Sequence, residues 1–229
     1  MKRVGILLML TMLSWRLPAQ DAQALIARVR ARLDQVNDYV ASGRMKTNVA
    51  FIKSPEASVK VYYKKPDKIR IRNEQGISFI PRGSVNISLG NLFSQPAAYD
   101  IIDVGRDAST GWHVVKLLPR DDQAEVVLST LYIEEERALV RRASTTTRDN
   151  GSYDLGMDYG KYAALGLPDK VVFTFNTSNY KLPKGITLDY DDGSQKKQPA
   201  GPETKKGRVE IVYTQYQINQ GVDDKVFTQ

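Results

Sequence analysis

The sequence predicts an α+β fold, one N-terminal helix followed by a strongly curved antiparallel sheet of about ten or eleven strands. Three observations carry this. Apolar residues recur at helical spacing only between Asp21 and Val40. From Gly43 onward, short β-branched and aromatic runs alternate with turn clusters. Several of those runs are apolar at both odd and even positions. A flat sheet with one wet face has no need of that, whereas a sheet wrapped around a helix or a ligand does.

The helical stretch contains Leu25, Ile26, Val29, Leu33, Val36 and Val40, with Asp21 as its expected cap and Arg28, Arg30, Arg32, Asp34 and Asp38 on the other side. This predicts an amphipathic helix of about five turns. Its apolar stripe lacks Trp and Phe, which favours packing on its own sheet over lying on a membrane.

Strands are expected at Gly43–Ile52, Ile77–Ile80, Ala98–Val104, Trp112–Leu118, Val126–Ile133, Leu139–Arg148, Asp154–Tyr162, Val171–Phe175 and Val209–Ile218. Asn150-Gly151 is the sharpest hairpin signal between them. Val209, Ile211 and Tyr213 oppose Val212, Tyr216 and Ile218, and Trp112, Val114 and Leu118 oppose His113, Val115 and Leu117, so both strands read as apolar on two faces. Ser84 to Phe93 has no clean period and reads as a loop with at most one helical turn. Asp189 to Gly207, rich in Lys, Gly and Pro, reads as a flexible polar excursion.

The most informative stretch runs from Ser58 to Arg72. Val59, Val61 and Tyr63, then Ile69 and Ile71, fall at alternate positions on either side of Pro66-Asp67. Lys60, Lys64, Arg70 and Arg72 occupy the opposite face. Proline lacks a backbone donor, so the ladder breaks there and the chain turns. The result is a hairpin with one apolar and one basic face, whose apolar face must be covered by protein or by ligand.

The first twenty residues read as a secretory signal peptide. Lys2 and Arg3 precede an apolar run, Gly5 to Leu13, too short to span a membrane, and Leu17-Pro18-Ala19-Gln20 resembles a processing site. The expected organisation is therefore a signal peptide at 1–20 and a single domain at 21–229, with the excursion at 189–207. Cysteine is absent from the chain, which excludes disulfides and a thiol for lipid attachment. Removing residues 1–20 takes Lys2, Arg3 and Arg16 from 33 basic residues and none from 26 acids, leaving a net charge of +4. No basic cluster is interleaved with stacking aromatics, so nucleic acid is not an expected partner and a solvated basic face is.

Catalytic patterns are thin. His113 is the sole histidine, which rules out a two-histidine metal site, and it sits mid-strand beside Trp112. A packed or hydrogen-bonded strand histidine is the expectation, not a general base. Glu134-Glu135-Glu136 reads as solvation of a turn. Asp189, Asp191, Asp192 and Gly193 start like a calcium loop, but Ala200 stands where a bidentate Glu is required. No cofactor, metal or enzyme activity is expected.

The order of parts resembles the LolA-like superfamily of periplasmic lipoprotein carriers and outer-membrane lipoprotein-sorting proteins. The residues that carry the likeness are Tyr63-Lys64-Lys65-Pro66-Asp67-Lys68-Ile69-Arg70, then Gly166-Leu167-Pro168-Asp169-Lys170-Val171-Val172-Phe173. Tyr213 to Asn219 and Val222-Asp223-Asp224-Lys225-Val226-Phe227 complete it. The resemblance implies an incomplete β-barrel with a helical lid, enclosing an apolar cavity for acyl chains. In that family a lysine-arginine-proline motif places an arginine that holds the lid closed. Here Lys64, Lys65 and Pro66 match it, so Lys65 takes the clamp position. Lysine lacks the planar fork of arginine and is a poorer clamp for several carbonyls. The lid stretch, Ser84 to Gln95, carries no obvious helix.

The expected lining of an acyl cavity is Val59, Val61, Tyr63, Ile69 and Ile71, with Leu92 and Phe93 as its gate. The competing expectation is that all seven simply pack against Leu25, Val29, Leu33 and Val36. The leading functional reading is a soluble periplasmic carrier or chaperone, a monomer that binds lipids or acylated lipoproteins and meets transport components of the inner and outer membranes. The alternative is a regulatory periplasmic binding module, like a stress sensor, that recognises a membrane-protein partner. A hydrolase of envelope polymers is the remote third.

Overall fold

The computed structural model describes residues 18–49, 52–53, 56–73, 98–149, 151–176 and 206–228. The expected strand at Ile77–Ile80, the lid stretch and residues 189–205 of the expected excursion lie outside them. A helix, α1 (Pro18–Leu33), leads into β1 (Asp38–Val49), β2 (Ile52–Lys53), β3 (Ala57–Lys64) and β4 (Lys68–Asn73). Then come β5 (Tyr99–Arg106), β6 (His113–Pro119), β7 (Val126–Glu134), β8 (Leu139–Thr147), β9 (Gly151–Asp158), β10 (Lys170–Asn176) and β11 (Lys206–Ile218). Lys206 and Gly207, the last two residues of the expected excursion, belong to β11.

The strands form one antiparallel sheet in the order β4-β3-β1-β11-β10-β9-β8-β7-β6-β5, with β2 beside β1. Chain-consecutive strands from β5 to β11 make a meander, and β11 then pairs with β1 from Tyr39↔Ile218 to Asn48↔Arg208. The two outermost strands, β4 and β5, do not pair with each other, so the sheet curls without closing. This is the α+β, incomplete-barrel architecture that the sequence predicts.

The helix departs from expectation at both ends. It begins at Pro18, three residues before Asp21, and ends at Leu33 instead of running on to Val40. Val36 is buried in the link that follows, and Val40 lies in β1. The exit is stapled from far away in sequence. Asn219, at φ 56°, accepts through Oδ1 from the backbone N–H of Asn37 at 2.7 Å and donates through Nδ2 to the carbonyl of Gln35 at 2.8 Å. Local periodicity carries no trace of such a partner.

The reading of β11 as apolar on two faces is also corrected. Its register against β1 shifts between Ser42↔Gln215 and Gly43↔Tyr213, a bulge at Thr214. The bulge moves Tyr216 and Ile218 onto the same face as Val209, Ile211 and Tyr213 and leaves Val212 outward, 37% exposed. In β6 the two-faced reading holds for Val114, which is buried, while Leu118 is exposed on the outer side.

The inner face of the sheet carries two cores. The first gathers Ala22, Leu25, Ile26 and Val29 of α1 against Val115, Leu117, Leu131, Ile133, Val140 and Leu155 of β6–β9. The second gathers Ala41 and Met45 of β1, Val59 and Val61 of β3, and Val209, Ile211 and Tyr216 of β11, together with Val36 and Leu167. At about 25 cal/mol per Å² of apolar area, the first core accounts for why α1 stays docked.

Candidate functional site

The β3–β4 hairpin forms as its alternation demands, with Val61↔Ile71, Tyr63↔Ile69 and Lys64↔Lys68 in register around the Pro66 turn. Val59, Val61 and Tyr63 are buried, and Ile69 and Ile71 are half-buried. Val59 and Val61 belong to the second core, Ile69 and Ile71 pack against it, and Tyr63 reaches it through Tyr39. The structure thus brings the five expected lining residues together. Leu92 and Phe93 lie outside the described residues.

Val59 and Val61 are buried in a core that includes Val36, one of the four residues of the competing expectation. Leu25 and Val29 belong to the first core and Leu33 packs against it; of the four, Val36 alone joins the second. Among the described residues, no α1 side chain contributes to the second core. One half of the concave face is therefore lined by the helix, and the other carries a separate apolar core whose central residues, Val59 and Val61, are fully buried.

Tyrosines that the sequence reading left out border this second surface. Tyr39 stacks on Tyr63 at 5.1 Å, and Tyr39, Tyr162 and Tyr213 all pack on Tyr216. Burial pushes the phenols of Tyr39, Tyr213 and Tyr216 up, so all three stay neutral in ordinary buffers. The Tyr216 hydroxyl donates to the carbonyl of Pro168 at 2.7 Å. Among the described residues, His113 Nδ1 is a buried side-chain polar atom without a hydrogen-bond partner. The signal for Tyr213 and Tyr216 was in the sequence, but the bulge between them hides it, because it breaks the period of two.

Lys65 grips the end of the helix. Its Nζ donates to the carbonyl of Asp34 at 2.8 Å and pairs with the Asp34 carboxylate at 3.3 Å, while its backbone N–H donates to Asn37 at 2.8 Å. A cation at a helix C-terminus meets the last orphan carbonyls and the negative end of the dipole. The clamp position of the resemblance is thus tied to α1.

The basic face of the hairpin is engaged rather than simply solvated. Lys64 Nζ donates to the carbonyl of Val222 at 3.1 Å, Lys68 pairs with Asp224 at 2.9 Å, and Arg72 donates to the carbonyl of Val226 at 3.3 Å. The C-terminal turn, Asp224–Val226, is held against the outside of the hairpin by these contacts.

His113 is buried at the first position of β6, not mid-strand as expected, its Nε2 2.9 Å from Asp103 Oδ1 and its Nδ1 3.7 Å from Glu135. Glu135 also pairs with Arg106, and Glu134 with Arg141 at 2.7 Å, so the acidic run is an ion-pair network as well as turn solvation. Among the described residues, no group of three or more potential metal ligands converges. No described helix is long and apolar enough to cross a membrane.

No protein-family profile and no curated protein matches the sequence. Solved structures do. A proposed outer membrane lipoprotein-sorting protein domain from Vibrio parahaemolyticus superposes with a TM-score of 0.57 at 9% identity, covering 91% of this chain and 97% of that one. A DUF1329 family protein from Desulfovibrio piger gives 0.54 at 12% identity, over 92% and 97%. A LolA superfamily protein from Nitrosomonas europaea gives 0.52 at 9% identity, over 91% and 97%. The fold is LolA-like.

Proposed function

We propose that this chain is an exported, periplasmic carrier that shelters the acyl chains of lipids or lipoproteins within the half of its curled sheet that α1 does not line and delivers them toward the outer membrane. The observation that supports this reading is the second apolar core, built by Val59, Val61, Met45 and Ile211 and flanked by the half-buried Ile69 and Ile71, to which α1 adds no side chain and which a guest would enter from the hairpin side. Each methylene taken from water onto such a surface gains about 0.8 kcal/mol. The LolA-like fold and the signal-like first twenty residues support the same reading. Its partners would be the acylated cargo and the membrane components that load and unload it. No part of the reading requires turnover.

Detergent-free protein, examined by native mass spectrometry and organic extraction, is expected to carry acylated molecules or to take them up from vesicles. Ile71→Gln, at a half-buried position, is expected to reduce that uptake about tenfold while leaving the circular dichroism unchanged. A preparation that neither carries nor acquires any acylated ligand ends the reading.

A further inference from the structure

A half-open groove of about 660 Å³ runs between α1 and β5, apart from the hairpin residues. Its floor is apolar, made by Ile26, Ala27 and Ala31 of the helix and by Tyr99 and Ile101 of the strand. The space exists because α1 sends Leu25 and Val29 into the first core, while the positions turned toward β5 are the exposed methyls of Ala27 and Ala31. Two mixed-sign rims face each other across this floor. Arg30 pairs with Asp34 at 3.4 Å on the helix side, and Arg120 with Asp100 at 2.8 Å on the strand side.

We propose that this groove binds a zwitterionic single-chain phospholipid, its phosphate taken by Arg120 and Arg30 and its amine by Asp100 and Asp34. The proposal rests on the carrier reading and adds the class of ligand. Both ion pairs are largely exposed, with side chains 41% to 61% accessible, and pairs of that kind contribute little to folding. They open at small cost. Each half then meets an opposite charge on the ligand, and guanidinium groups suit phosphate through paired hydrogen bonds. A purely anionic head satisfies the arginines and leaves the Asp100 carboxylate facing it, while Asp34 keeps Lys65 at 3.3 Å.

The volume falls within the range of small-molecule sites, on the order of 300–1,000 Å³. From Gln23 to Leu33 the helix extends about 15 Å by its standard rise, enough for much of an extended fatty chain. Asp34, at the end of the groove, is also the residue that Lys65 grips, so the groove ends at the turn of the β3–β4 hairpin.

Isothermal titration of the exported protein with palmitoyl lysophosphatidylethanolamine and palmitoyl lysophosphatidylglycerol, both below their micelle concentrations, tests this. The zwitterionic lipid is expected to bind about tenfold more tightly than the anionic one. Arg120→Gln is expected to weaken the zwitterionic lipid about tenfold. Ala31→Trp, an exposed position whose new ring fills the floor, is expected to abolish its binding with the circular dichroism intact. Equal affinities for the two lipids overturn the assignment of the head group. Wild-type affinity in Ala31→Trp, or no binding of the zwitterionic lipid to the wild type, overturns the groove as its site. If acyl uptake then survives and responds to Ile71→Gln, the carrier reading stands without the groove; if no acylated ligand binds at all, both fall.

Discussion

Single side chains in this molecule act mainly as long-range staples. Asn219 holds the exit of α1 by three backbone contacts, to Asn37, Asp38 and Gln35. Asn219→Ala removes them together and is expected to cost about 1–2 kcal/mol in chemical denaturation. A loss below about 0.3 kcal/mol would mean that water replaces the amide without penalty. The sequence reading placed this asparagine within a family-like ending but gave it no task, since its partners lie more than 180 residues away. His113 was legible as a hydrogen-bonded strand residue, but its partner was not. Asp103 meets it across the β5–β6 hairpin, where a register shift between Asp103 and Gly105 changes which side chains share a face. Lys65 was legible by position alone. Lys65→Arg supplies a planar fork in place of a point donor and is expected to engage Asp34 more firmly, slowing release of a loaded fatty probe in stopped-flow fluorescence. Unchanged release would detach this grip from loading.

At the scale of elements, alternation located the strands well and bulges limited what it could say about their faces. The shift in β11 is matched by Gly43 on β1. A Cβ there would stand 2.6 Å from the carbonyl oxygen of Val212 and 3.3 Å from Tyr213 Cα. Both neighbours are backbone and cannot yield cheaply, so Gly43→Ala is expected to destabilise by about 1–3 kcal/mol in thermal or urea unfolding. A neutral result would show that the bulge slides. The tie between hairpin and C-terminal turn gives a second, pH-dependent expectation. Hydrogen bonds from Lys68 and Lys64 hold the Asp224 carboxyl below the ordinary carboxylate value. A carboxyl lowered in the folded state contributes stability above its unfolded value, and that contribution is lost as pH falls through the folded one. The turn should therefore stay docked at neutral and mildly acidic pH and loosen below about pH 4. Carbon-detected NMR titration of Asp224 is expected to give a lower midpoint than in a Lys64→Gln, Lys68→Gln variant; equal midpoints would contradict the tie.

Across the described residues, α1 lines only part of the inner face of an eleven-stranded sheet that does not close. The order of parts and their periodicities were enough to anticipate that shape, because each strand announces itself locally. The division of the concave face was not legible. It depends on where α1 stops, and the apolar period continues through Val36 and Val40 after the backbone has already turned into β1. The early stop keeps α1 against β5–β9 and leaves β1, β3, β4 and β11 to a second core with its ring of tyrosines. The two halves should therefore answer a ligand differently. A molecule bound to the native state stabilises it by mass action, about 2.7 kcal/mol at a hundredfold excess over its dissociation constant. Where an acyl chain lies on the second surface, hydrogen exchange is expected to slow most in β1, β3, β4 and β11, including Ala41, Val61 and Ile71. Amides of β7 and β8 already sit under α1, and their protection should rise only with global stability. Protection gained equally in both halves would mean that the guest tightens the fold as a whole without resting on that surface, and the hairpin would then lose its claim to the cargo.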